Sequence, residues 1–396
     1  MKILFLNHNL AGRGTYFRCM GFARELVKRG HHVDLWTVST EQDFQGTRVE
    51  EDGVNIWHTP RWGKVGRHDG GYALVDNIAR IFAASEGRWD VVHAFDHRPN
   101  VLLPWLCLKM KMRCLLGKHR TLFVSDWCDW WTAGGITTSR RRFPVIDRIE
   151  QRIEEGSKRI SDGVTVISSV LQQRAIEAGV NPDRLHLLPS GVDIEKFPLL
   201  DKNICRKMIG LPEDKPILGF IGFSLWDMEL LATAFERVKK QIPQAVLLVI
   251  GGGVEESAND IFKQKFKIGA DVFLPGVIPF SEAPKYLAAC DIQLLPMEDN
   301  IANRARLPNK LCDYLASGRP IVASDVGEGG DIVRKHRVGM AVGGGVQNFA
   351  EACALLLQND NLIKEFGRRA REAAITKYSY SRLTDSVLMF YERICK

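Results

Sequence analysis

The chain has 396 residues, 45% of them apolar and 26% charged, with a formal net charge of +7. That length exceeds what one hydrophobic core usually serves, so two domains are expected, and the composition excludes a disordered chain. The positive bias is mild for a nucleic-acid binder, no run reaches the roughly 18 apolar residues of a membrane span, and the nine cysteines form no CxxC pair that would suggest a zinc site.

The apolar run Ile3–Leu6 reads as a buried strand, too short for a signal-peptide core. Gly12 and Gly14 follow it, and then a helical pattern of Phe17, Met20, Phe22, Leu26 and Val27 ends at Gly30. Val33–Val38 is the next strand, which completes a βαβ unit. Further strands are expected at Val54–His58, Asp90–Ala94, Thr121–Asp126, Gly163–Ser168 and Leu185–Leu188, with a charged helix over about 143–161. Residues 193–216 hold three prolines and little strand character, which marks a link. The plan then restarts with strands at Ile217–Ile221, Ala245–Ile250, Val272–Leu274, Ile292–Leu295 and Pro320–Ser324. Helices are expected between them at Met228–Gln241, Ala283–Cys290 and Lys310–Ser317, and Leu362–Lys396 reads as a terminal amphipathic helix. Alternating strands and helices in both halves predict an α/β chain with two Rossmann-like, doubly wound domains.

In open α/β sheets ligands lie beyond the carboxyl ends of the strands. The residues that follow strands directly are Gly12 and Gly14, His93 and Asp96, Asp126, Ser168, Gly222 and Ser224, and Gly251–Gly253. A strand-end imidazole can hydrogen-bond a sugar or an acceptor hydroxyl, which makes His93 a candidate; a structural histidine is the plain alternative. Asp126 and Asp129 stand among Trp127, Trp130 and Trp131, and rings framing carboxylates suit sugar recognition. Pro308 precedes a helix whose first turn carries Asn309, Lys310 and Leu311, with Asp313 one turn on. A helix N-terminus with a lysine suits a diphosphate, and the aspartate can accept both hydroxyls of a ribose. A surface helix that happens to hold a lysine and an aspartate is the alternative.

Ser190-Gly191-Val192-Asp193 followed by Phe197, and the stretch from Pro308 to Ser324, resemble the domain-junction and donor-site motifs of family 4 GT-B glycosyltransferases. Asp90–His93 and Gly30–Val33 also match patterns of that family. The resemblance implies a GT-B fold, with two Rossmann-like domains facing across a cleft. It divides the chain into an acceptor-binding domain at 1–196, a donor-binding domain at 197–375 and a C-terminal helix at 376–396 that crosses back. It implies a retaining, metal-independent glycosyltransferase with no cofactor, using a UDP- or GDP-sugar and a glycan or lipid-linked acceptor. His93 and Asp126 become the catalytic candidates. Gly12, Gly14, Gly222, Ser224, Arg304, Arg306, Asn309, Lys310, Leu311 and Asp313 become donor candidates, and Asp96, His97 and Asp129 acceptor candidates. The chain departs from the family at Ala305, where a glutamate commonly stands, and after Gly222, where an arginine and a lysine are usual. A non-catalytic nucleotide-sugar-binding protein or a sugar-nucleotide epimerase of the same fold are the other readings. A cytoplasmic location is expected. Basic, apolar stretches at 101–124 and 139–142 suit contact with the inner membrane face.

Overall fold

The computed structural model describes residues 1–62, 70–114, 121–139, 143–222, 225–251 and 256–395. They fall into two units, Met1–Ser190 with Tyr380–Lys396, and Gly191–Ser379.

The first unit runs β1 (Lys2–Leu10), α1 (Thr15–Lys28), β2 (His32–Val38), β3 (Thr47–Glu51), β4 (Val54–Thr59) and α2 (Leu74–Glu86). It continues with β5 (Val91–Phe95), α3 (Pro99–Cys114), β6 (Leu122–Trp127), α4 (Pro144–Arg159), β7 (Gly163–Val166), α5 (Ser169–Glu177) and β8 (Leu185–Leu187). The sheet order is β3-β4-β2-β1-β5-β6-β7-β8. Every pair is parallel except β3 with β4. The central strands are apolar on both faces because helices cover both, the pattern that made them legible. Phe5 and Val124 face α1, whereas Leu4, Val92 and Phe123 face α2 and α3. β3 was not expected: Thr-Arg-Val-Glu-Glu is exposed throughout and pairs antiparallel at the sheet edge, so burial leaves no apolar signature in it.

The second unit begins with α6 (Lys202–Ile209), β9 (Ile217–Gly222), α7 (Leu225–Gln241), β10 (Val246–Gly251), α8 (Glu256–Lys265), β11 (Val272–Gly276) and α9 (Ala283–Ala288). It goes on through β12 (Ile292–Leu295), α10 (Ile301–Ala305), α11 (Asn309–Ser317), β13 (Ile321–Ser324), α12 (Gly327–His336), β14 (Gly339–Val342), α13 (Val346–Leu357) and α14 (Asp360–Thr376). Its six strands are all parallel, in the order β11-β10-β9-β12-β13-β14. The single terminal helix read from the sequence is two: α14 ends at Thr376, and α15 (Tyr380–Cys395) starts after Ser379, which bridges to Val192. α15 belongs to the first unit, where Val387, Phe390 and Tyr391 join the core under α1. The cysteines of the described residues are free thiols, most of them buried.

Candidate functional site

In the second unit the site gathers where β9 ends. Ile221 donates its backbone N–H to the Tyr314 hydroxyl of α11 at 2.9 Å, which fixes that helix against the carboxyl end of the strand. Leu311, Cys312, Tyr314, Leu315, Ala316 and Ser317 of α11 are buried, whereas Asn309, Lys310 and Asp313 are partly buried. No side chain caps its first turn, whose N-cap is Pro308. Lys310 lies back over the Phe220 ring, with Nζ 4.1 Å from the centroid. Gly222 makes room for it: a β-carbon there would stand 2.9 Å from that Nζ and 2.8 Å from the Phe220 ring.

The nearest charge to Lys310 is the buried Asp227 of α7. Its Oδ2 is 3.9 Å from Lys310 Nζ and 3.8 Å from Arg306 Nη2, so one carboxylate is shared loosely between two cations. Burial lowers the Lys310 pKa to about 8, although Asp227 opposes the shift. Arg306 keeps a buried Nε without a hydrogen-bond partner. Asp313, partly buried, has no hydrogen-bond or ion-pair partner among the described residues, and burial alone raises its pKa to about 7. Lys310 and Asp313 are neighbours at i and i+3 on the helix surface.

Other donor candidates fall differently. Arg304 is exposed and holds Asp299, with Nη2 2.7 Å from Oδ2, at the surface. Leu311 is fully buried and its amide bonds to the Pro308 carbonyl, so its part is packing. Asn309 opens α11 and is partly buried. Ala305 lies in the core at the place where the family motif has a glutamate. Ser224, with Phe223, lies outside the described residues. Asp227 was missed by the sequence reading. A lone acid in the first turn of a helix is an ordinary dipole partner, and only the fold brings it to Lys310.

In the first unit the two catalytic candidates, His93 and Asp126, are both buried. His93 is 1% exposed; Nδ1 lies 2.7 Å from the Tyr391 hydroxyl and Nε2 3.1 Å from Thr165 Oγ1. Burial holds its pKa down to about 3, so the ring is neutral. Asp126 is fully buried, with both oxygens occupied. Arg18 grips it through Nε and Nη2, each at 3.1 Å, while Thr165 Oγ1 and Cys128 Sγ also donate to it. Burial would raise the Asp126 pKa, but the Arg18 guanidinium outweighs it and the group sits below the usual range. Arg18 also donates to the Leu188 and Pro189 carbonyls.

Asp96 and His97 are also buried, at the end of β5. Asp96 adopts φ 92°, with Oδ2 3.6 Å from His8 Nδ1 and Oδ1 2.9 Å from His97 Nδ1. Burial works to raise its pKa, and the two imidazoles outweigh it and hold the group well below the ordinary range. Neither ring nitrogen of His97 has hydrogen-bond geometry to a partner. Beside them Arg98 stacks 3.9 Å over the Trp131 ring and pairs with Glu150 at 2.9 Å. Asp129 is partly buried. Gly12 and Gly14 both have positive φ, and Gly14 stands at the N-cap of α1.

The basic stretch 101–124 lies only partly among the described residues. Val101, Trp105 and Leu108 belong to the core, Lys109 donates to the Ile160 carbonyl and Lys111 to that of Ser85. Lys118, Arg120 and Arg140–Arg142 lie outside the described residues. No helix among the described residues is long and apolar enough to cross a membrane.

Two parallel α/β units, the second with a cationic helix turn at a strand end, define a two-domain glycosyltransferase fold, and comparison with known proteins agrees. Residues 13–191 match the glycosyl transferase 4-like domain and residues 215–359 the group 1 glycosyl transferases. The chain is a GT-B glycosyltransferase resembling family 4. It is 24% identical to the D-inositol 3-phosphate glycosyltransferase of Stackebrandtia nassauensis, over 93% of this chain and 84% of that one. It is 23% identical to the GDP-mannose-dependent alpha-(1-6)-phosphatidylinositol monomannoside mannosyltransferase of Mycobacterium tuberculosis, over 84% of this chain and 95% of that one. In fold it is similar to sucrose-phosphate synthase of Thermosynechococcus elongatus (TM-score 0.79, 16% identity, 100% and 98% of the two chains). Anabaena HepE in complex with UDP and glucose gives a TM-score of 0.68 at 15% identity, over 99% of each chain.

Proposed function

We propose that the second unit binds a nucleotide-diphosphate sugar on the first turns of α11, and that the protein transfers this sugar to a glycan or lipid-linked hydroxyl. The observation that carries the reading is the pairing of Lys310, seated over Phe220 beside Gly222, with Asp313 three residues on, which has no partner among the described residues. Lys310, Arg306 and the helix N-terminus meet the diphosphate, and Asp313 accepts the ribose hydroxyls. A UDP- or GDP-sugar is the proposed donor. The solved neighbour holding UDP and the relative whose name specifies GDP-mannose support that class.

The proposed reaction retains the anomeric configuration and needs no metal. The bond from the anomeric carbon to the diphosphate oxygen breaks, the acceptor oxygen bonds that carbon on the same face, and the acceptor proton passes to the departing diphosphate. The protein's main contribution is to stabilise the charge developing on that leaving group. Such a step asks for no side-chain nucleophile. It leaves His93 and Asp126 to hold the first unit together, while the acceptor is proposed to bind near Asp96 and His97.

The test is a thermal-shift panel of UDP-, GDP- and ADP-sugars followed by transfer assays. A native-state ligand at about one hundred times its Kd adds about 2.7 kcal/mol of stability. One nucleotide class should raise the melting temperature and be consumed with acceptor present. Stabilisation without consumption across a broad acceptor panel would favour a binding protein over an enzyme.

A further inference from the structure

β4, β2, β1 and β5 are parallel neighbours, so the segments that follow β2 and β4 leave the sheet at the same end as the one after β5 that carries Asp96 and His97. Asp43, after β2, and Arg61, after β4, form a short antiparallel bridge, in which each amide donates to the other's carbonyl at 3.2 and 2.6 Å. Side chains alternate along such a segment. Arg61 turns inward, where its Nη1 donates to the Ser39 and Thr40 carbonyls. Trp62, the next residue, is 58% exposed. Phe44 is 63% exposed and stands diagonal to it across the bridge, with the ring centroids 5.2 Å apart and the planes at 67°.

The loop that carries Phe44 is braced. Asp43 Oδ1 accepts the amides of Gln45 and Gly46 at 3.0 and 2.8 Å, and Oδ2 accepts the Thr47 hydroxyl at 2.7 Å. Gly46 has φ 79° and packs so closely that a β-carbon there would stand 2.7 Å from Trp57 Nε1. Two large rings are thus held in water by a hydrogen-bonded backbone. Single exposed apolar side chains are ordinary on a protein surface; two aromatic rings in contact on a braced loop are a built surface.

We propose that the Phe44–Trp62 pair is a stacking subsite for a sugar ring of a glycan. The face of an aromatic ring is electronegative and attracts the C–H face of a pyranose, and two rings at this angle give the sugar a floor and a wall. Glu41 and Gln45 are exposed beside the pair and offer partners to sugar hydroxyls. Residues 39–47 include Glu41 and Asp43 and no lysine or arginine, so this loop repels an anionic partner and suits a neutral polyol. In the sheet β4 stands three strands from β5, about 14 Å away. A glycan that ends near Asp96 and His97 must therefore be an oligosaccharide to reach Trp62. Naming that glycan as the acceptor rests on the function proposed above; the stacking subsite itself does not.

The experiment is calorimetry and saturation-transfer NMR of the full chain with mannotriose, maltotriose and chitotriose, and with their monosaccharides, in the absence of nucleotide. The expected result is that at least one trisaccharide binds more tightly than its monosaccharide. Its affinity should fall about tenfold in Trp62→Ala and about threefold in Phe44→Ala. Trp62→Tyr should retain binding, whereas Trp62→Leu, apolar but without a ring, should lose as much as the alanine variant. Circular dichroism should match the wild type, since both side chains are exposed. His97→Asn separates the two readings: loss in Trp62→Ala alone supports the subsite and counts against an acceptor near His97, and loss in His97→Asn alone overturns the subsite and leaves that acceptor reading standing. Absence of trisaccharide binding by the wild type, or equal binding by Trp62→Ala, overturns the proposal. Self-association or phosphatidylcholine vesicle binding that Trp62→Ala abolishes, without sugar binding, assigns the pair to a second copy or a lipid surface and also overturns it.

Discussion

The strand ends of the two units use the same residue types in opposite ways. At β5 and β6 the charges answer one another: Arg18 with Asp126, Arg98 with Glu150, Arg174 with Glu154. At β9 they do not. Lys310 and Arg306 share Asp227 at nearly 4 Å, and Asp313 has no partner among the described residues. A network of this kind holds a fold together, because these buried charges are paired with one another. An unsaturated set of groups leaves charge and lone pairs for a ligand. The contrast is the ground for proposing architecture for the first set and binding for the second.

The largest effect that tests this contrast is on stability. Asp126→Ala strands the buried Arg18 guanidinium, and breaking one side of such a pair costs about 3–5 kcal/mol. Denaturant unfolding should show that loss, whereas Asp313→Ala, measured alongside, should be neutral or stabilising because its partly buried carboxyl has no partner among the described residues. A reversed ranking would break the comparison. Next is recognition of the ribose. Asp313→Asn should weaken nucleotide binding about tenfold. It should leave a 2′,3′-dideoxynucleotide unaffected, and calorimetry distinguishes the two.

The pH dependence sharpens the same contrast. Asp313 accepts hydroxyls as a carboxylate, so affinity is lost as pH falls through about 7. Lys310 meets phosphate as an ammonium, so affinity is lost as pH rises through about 8. Nucleoside diphosphate binding to the free protein should therefore peak between those values, with the acid limb absent in Asp313→Asn. His93, held neutral down to about 3, should add no limb near 6.5. The smallest effect belongs to Asp227→Asn. Removing the charge that props up Lys310 should move the alkaline limb to lower pH and, at pH 7, tighten diphosphate binding by about threefold. An unmoved limb would mean that Asp227 does not govern Lys310.

The fold was legible because parallel, doubly covered strands are continuous apolar runs, as in Ile3–Leu6 and Ile217–Ile221. Edge elements carry no such record, and β3 was invisible for that reason. Lys310 and Asp313 were legible because both lie on one helix, three residues apart. The burial of Asp126 and His93 was not legible because their partners lie far away in sequence: Arg18 is 108 residues from Asp126, and Tyr391 is 298 from His93. Sequence position at a strand end does not reveal which sheet face a side chain takes or who waits there.

The claim that the first turns of α11 hold a nucleoside diphosphate is tested most directly by calorimetric titration of wild type and Lys310→Ala with UDP and GDP, each against its nucleoside. The account predicts that the substitution lowers affinity for the favoured diphosphate by roughly 10- to 100-fold and leaves the nucleoside unchanged. Equal losses for diphosphate and nucleoside, or none for either, would contradict it.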